Sequence, residues 1–66
     1  MNSKLSISNF TFIFIGYGHY KVTYTSPNTQ NKFSAVINDM QLIDNTKNSD
    51  NPKIKDLEIL KRRCKQ

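Results

Sequence analysis

Residues 16–25 read Gly16-Tyr17-Gly18-His19-Tyr20-Lys21-Val22-Thr23-Tyr24-Thr25, and this stretch decides the fold. From His19 onward the pattern has period two. Tyr20, Val22 and Tyr24 share one face, and His19, Lys21, Thr23 and Thr25 share the other. Such alternation marks a strand with one packed face and one face open to solvent or a ligand. The two glycines before it supply the positive φ angles that a tight reversal needs. A partner strand is therefore expected over Asn9–Ile15. There Phe10, Phe12 and Phe14 lie on one face, and Thr11, Ile13 and Ile15 on the other. Both faces are largely apolar, which points to a central or well-covered strand. Downstream, Ser26–Asn31 is a turn cluster in which Pro27 fixes φ and Asn31 is expected to take the left-handed conformation. A third strand follows over Lys32–Asn38, with Phe33, Ala35 and Ile37 opposite in face to Ser34, Val36 and Asn38. Two reversals in succession make an antiparallel meander.

The remainder of the chain is helical in character. Asp39 is placed to cap a short turn over Met40–Asp44 that buries Met40 and Ile43. Residues 45–51 form a polar loop. Lys53–Lys65 is rich in strong helix formers, with Asp50 or Asn51 as its expected cap and Pro52 at its first position. At 100° per residue, Leu57, Leu60 and Cys64 form one narrow stripe with Ile54 at its margin. Ile59 falls on the far side, among Lys55, Arg62 and Arg63. The expected architecture is α+β: a three-stranded antiparallel β-meander with a C-terminal α-helix packed on one face. It is a single domain over 1–66, with residues 1–8 either a frayed terminus or an extra strand.

Composition narrows the chemistry. The chain has 66 residues, 36% of them hydrophobic and 23% charged, with a net charge of +5. A domain this small has a thin core, with little room for a large substrate pocket. No stretch approaches the length of a membrane span. Met1-Asn2-Ser3-Lys4 leads into no leucine-rich run, so no secretory leader is expected. There is one Cys and one His, which allows no internal disulfide and falls short of the four ligands of a closed zinc site. No metal and no cofactor are expected, and the cysteine usage suits the cytoplasm.

Catalysis finds little to work with. His19 and Cys64 would have to meet, with a third group to orient them. Cys64 sits on the apolar helix stripe, where a small buried hydrophobe is the simpler reading. Asp39, Asp44, Asp50, Asp56 and Glu58 are scattered, and Glu58 can pair with Arg62 at i, i+4. Gly16-x-Gly18 lacks the rest of a phosphate loop. The expectation is a protein that is not an enzyme.

Binding is better represented. Lys53, Lys55, Lys61, Arg62, Arg63 and Lys65 are six of the ten cations, gathered on the last helix. That surface suits phosphates or an acidic partner. Lys21 and its hydroxyl-bearing neighbours on the polar sheet face offer a second binding surface. Tyr17, between two glycines at a hairpin tip, cannot easily reach the core and is a candidate anchor. Ile59 amid cations is a candidate hot spot with a basic rim. The candidate partner- or nucleic-acid-binding residues are thus Tyr17, Lys21, Lys55, Ile59, Arg62 and Arg63.

The order of three strands and a helix is similar to that of the small sheet-type arm-binding modules of integrases, though no motif matches residue by residue. The stretches Gly16–Tyr24, Asn38–Asn48 and Pro52–Lys65 give the chain the look of the small proteins of bacterial phages and mobile elements. It resembles the anti-CRISPR proteins of that group in size, charge and style. The resemblance implies a small inhibitor or adaptor that docks on a nucleic-acid-handling protein such as an RNA-guided nuclease. The alternative is a stand-alone DNA- or RNA-binding regulator that uses the basic helix or the polar sheet face. A monomer and a homodimer burying Ile59 are both compatible with the sequence.

Overall fold

The computed structural model describes residues 5–66. A single 3-10 turn over Ile7–Asn9 is followed by β1 (Phe10–Gly16), β2 (His19–Thr25), β3 (Lys32–Ile37), α1 (Met40–Thr46) and α2 (Ile54–Cys64). The strands form an antiparallel sheet in the order β1-β2-β3. The fold is therefore the α+β meander with a C-terminal helix that the pattern predicts. Of residues 1–8, those numbered 1–4 lie outside the described residues. Ile7 enters the 3-10 turn rather than a strand, and the Ser6 amide donates to Asn9 Oδ1 at 3.0 Å.

The register explains the core. Phe10 stands opposite Tyr24, which stands opposite Phe33, and Phe12 pairs through Val22 with Ala35. Phe14 pairs through Tyr20 with Ile37. These three rows form the inner face. The core consists of Phe10, Val22, Tyr24, Ile37, Leu42, Ile43, Leu57, Leu60 and Cys64. Val22, Ile43 and Leu60 retain 0% of their surface exposed. Burial of such side chains stabilises the fold by roughly 1.5–3 kcal/mol each.

Several expectations are corrected. β1 is an edge strand in the order β1-β2-β3, and it is not well covered because α2 lies chiefly over β2 and β3. Phe14, on the inner face to the side of α2, accordingly remains 60% exposed, while Ile13, on the outer face, and Ile15, at the irregularity, remain 51% and 50% exposed. In the second turn Gln30, not Asn31, takes the positive φ, at 65°. The Ser26 amide donates to the Asn31 carbonyl at 2.8 Å, and the Gln30 amide donates to the Ser26 carbonyl at 2.8 Å. α1 runs to Thr46 and takes Asn45 and Thr46 out of the expected 45–51 loop.

Its Asp39 cap forms as expected, with the Leu42 amide donating to Asp39 Oδ1 at 3.2 Å. The helix phase set by that cap turns Leu42, Ile43 and Thr46 inward and leaves Met40 exposed. Buried Thr46 satisfies its hydroxyl by donating to the Leu42 carbonyl at 2.7 Å.

The last helix also starts later than expected. Its cap is Lys53, with no side-chain bond, rather than Asp50 or Asn51, and Pro52 precedes the helix instead of opening it. Asp56 in the first turn supplies the negative charge that a helix N-terminus favours. Among the described residues no helix is long and apolar enough to cross a membrane.

Candidate binding surfaces

The tip of the β1–β2 hairpin is the first surface. Tyr17 and Gly18 are its two central residues, with φ of 55° and 72°. Two positive φ angles in a two-residue loop are the signature of a type I′ turn, whose twist matches that of the strands. Gly16 adds a third, at 98°, beside an irregularity between Phe14 and Gly16 that leaves Ile15 without a partner in the ladder. The turn lifts the Tyr17 side chain clear of everything else, to 98% exposure. The backbone beneath it is pinned, because His19 Nδ1 donates to the Tyr17 carbonyl at 2.8 Å. Close by, the Phe14 ring meets Tyr20 edge-on at 5.3 Å.

The second surface lies at the other end of the sheet, on α2. The inner rows Phe14–Tyr20–Ile37 and Phe10–Tyr24–Phe33 are four residues apart, a distance of about 13 Å along the strands. Lys61 lies over the Tyr24 ring at 5.9 Å, and Lys65 lies over Phe33 at 5.2 Å. Each cation is thereby held by an aromatic face while its aliphatic stem covers apolar surface. Between these lysines and the β2–β3 turn runs an open groove of about 410 Å³, walled by Ser26, Asn28, Thr29 and Asn31. On the far side of the same lysines a hollow of about 380 Å³ is lined by Arg62, Glu58 and Gln66. The two depressions make Lys61 and Lys65 a cationic ridge.

The six residues singled out from sequence do not form one site. Tyr17 crowns the hairpin. Lys21 is on the outer sheet face, where the register sets it between Ile13 and Val36. In the next row on that face Thr23 and Ser34 share a hydrogen bond of 2.8 Å. Lys55 is exposed on α2, and Arg62 joins the hollow beside the ridge. Arg63 reaches the other way, to Asp39 at 4.0 Å, where both side chains are exposed. Such a surface pair contributes little to stability.

Ile59 is half-buried and packs against the core, beside Leu42 of α1, so less of it is exposed than its place on the far side of α2 implies. α1 occupies the side of α2 that a lone helix on a sheet would leave open. The sequence does not single out Lys61 and Lys65 as a pair: their i, i+4 spacing puts them on one helix face, and the fold sets that face against Tyr24 and Phe33.

His19 and Cys64 engage different partners. His19 is tied to the hairpin turn, and the Cys64 thiol donates to the Val22 carbonyl at 3.4 Å. Burial pushes the Cys64 thiol above its ordinary value, and a backbone contact at Tyr24 lowers it by a smaller amount. Among the described residues no three His, Cys, Asp or Glu side chains cluster closely enough to hold a metal ion. Compared with known proteins, the chain matches no family model, no curated protein and no solved structure.

Proposed function

We propose that this chain is a small non-enzymatic binding protein that docks on a nucleic-acid-handling protein complex, an RNA-guided nuclease being the partner class to test first. The observation that carries the reading is Tyr17, 98% exposed on a pinned turn. A freely exposed aromatic gains nothing for the fold. Carried on a pinned backbone, it can enter a partner's pocket without reordering the turn. The cationic ridge at the opposite end of the sheet suits a partner that presents phosphates beside the docking pocket.

The test titrates the labelled protein against a panel of purified RNA-guided nucleases, each with its guide RNA, and against the guide RNAs alone. A hot-spot tyrosine is worth at least about 2 kcal/mol, so Tyr17→Ala should weaken the complex about 30-fold. The reading fails if no complex on the panel binds, or if the alanine variant binds as well as the parent.

The ridge itself favours a second reading, direct binding of single-stranded nucleic acid in the groove beside Phe33. Binding of the free guide RNA would then weaken steeply with salt. Lys61→Ala would reduce the logarithmic salt slope by about 0.7, the share of one single-strand phosphate contact.

A further inference from the structure

The outer edge of β1 is the most unusual surface of the molecule. An edge strand leaves a row of backbone N–H and C=O groups unpaired, and proteins ordinarily guard such rows with charge, proline or a covering element. β1 has no charged residue and no proline in its seven positions, Phe10–Gly16. The guard it does have is the irregularity at Ile15, which sits at one end. The rest of the edge, Thr11 to Phe14, is a plain strand. The opposite edge, β3, begins with Lys32 and has α2 packed on it.

We propose that β1 pairs with β1 of a second copy, antiparallel about a two-fold axis through Ile13, to make one continuous six-stranded sheet.

Three features select a second copy as the occupant. The first is charge: in a chain of net charge +5, an uncharged edge is where two copies can meet without bringing like charges together. The nearest cations, Lys21 on the outer face and Lys47 over the Tyr20 ring at 5.7 Å on the inner face, each lie one strand in from β1. Across the axis the two Lys21 strands stand three strand spacings apart, about 14 Å, beyond the screening length at physiological salt.

The second is register. Pairing about Ile13 sets Ile13 against its own counterpart on the outer face and Phe12 against Phe14 of the second copy on the inner face. These pairs are apolar, Thr11 falls opposite Ile15, and aromatic cross-strand pairs are among the most favourable in sheets. The third is incomplete cover. Phe14 is 60% exposed although it belongs to the inner face, and the second copy supplies the Phe12 ring that shields it. Because the axis is perpendicular to the sheet, both copies keep their helices on the same side and both ladders remain regular up to the bulge. The contact is small and belongs to the weak class of interfaces, so it shows itself as concentration rises.

The experiment needs no partner. Sedimentation equilibrium over concentrations up to about 1 mM should show the mass rising toward twice that of one chain. Ile13→Lys places like charges opposite each other at the axis, and should return the mass to one chain under the same conditions. Ile13 is half exposed, so circular dichroism should show the variant folded.

A second measurement fixes the geometry. Residues directly opposite on antiparallel strands have Cα atoms about 4.5–5.5 Å apart, within the span of a disulfide. Mild oxidation of Ile13→Cys should give a covalent dimer. Val36→Cys, similarly exposed at 59% but on the other edge strand, should not, and neither should the parent with its buried Cys64.

A mass that stays at one chain throughout overturns the proposal. So does a dimer that survives Ile13→Lys, or one that cross-links through Val36→Cys instead.

Discussion

Tyr17→Asn should make the protein more stable while removing its docking anchor. Tyr17 sits at φ 55°, in the left-handed region that L-residues other than Asn, Asp and Gly avoid. Holding a residue there costs roughly 1–2 kcal/mol. At 98% exposure the ring returns no burial energy to offset that cost. Asn tolerates the left-handed region, and Asn before Gly18 is the dipeptide that type I′ turns prefer. It also avoids the extra unfolded-state entropy that glycine would bring.

The expected gain is about 1 kcal/mol, which for a domain of this size raises the melting temperature by about 4–8 °C. Calorimetry of parent and variant, followed by binding to the same nuclease panel, reads both effects. An unchanged or lower melting temperature refutes the strain argument. A higher one with docking intact refutes the assignment of Tyr17 as anchor.

Other substitutions test the packing. Leu60 is fully buried, and Leu60→Ala should cost about 2–5 kcal/mol out of a total stability of about 3–10 kcal/mol for 66 residues, enough to leave much of the protein unfolded by circular dichroism at 37 °C. Asp39→Ala removes the cap of α1 and should cost about 0.5–2 kcal/mol in urea melts. Arg63→Ala removes only the 4.0 Å surface pair and should stay within about 0.5 kcal/mol, so equal losses would mean that the pair, not the cap, is what Asp39 supplies.

Cys64 makes a prediction about pH. Its folded-state value is raised by burial, so its contribution to stability is complete below the ordinary thiol range and is lost as pH rises through the folded value. Stability should fall more steeply between pH 7 and alkaline pH in the parent than in Cys64→Ala. Parallel pH profiles of the urea midpoint would contradict this.

The meander was legible because each of its determinants is local. The period-two run His19–Thr25, the glycines around Tyr17 and the turn cluster at Ser26–Asn31 all act within a few residues of themselves. Side-chain alternation also fixed which residues share a face. It could not say whether a face would be covered, and this is why β1 was expected inside the sheet when it forms the edge. An apolar residue on both sides of a strand reports what the strand could bury, whereas cover depends on where distant helices come to rest.

Ile59 shows the same limit. Helical phase placed it away from the Leu57–Leu60–Cys64 stripe, correctly, but the neighbour that covers it is Leu42 of α1, and where that helix comes to rest is not a local matter. The length of α1 was equally out of reach, since it hinges on Thr46. A threonine followed by Lys47 and Asn48 carries no strong helix signal. Its burial depends on donating its hydroxyl back to Leu42, a bond visible only once the helix exists. Of the candidate site, the exposed Tyr17 was readable from its flanking glycines, while the ridge of Lys61 and Lys65 required knowing that Tyr24 and Phe33 lie beneath them.

Under the proposed docking, the separation of the hairpin tip from the ridge divides the kinetics of association. Long-range attraction acts before contact and is carried by the cations of α2, so salt should alter chiefly how often a partner is met. Short-range packing acts after contact and is carried by Tyr17, so its loss should alter chiefly how long a complex lasts. If the proposed docking holds, a molecule about 39 Å in its longest dimension sets its on-rate and its residence time at opposite ends of one sheet, where each can change without disturbing the other.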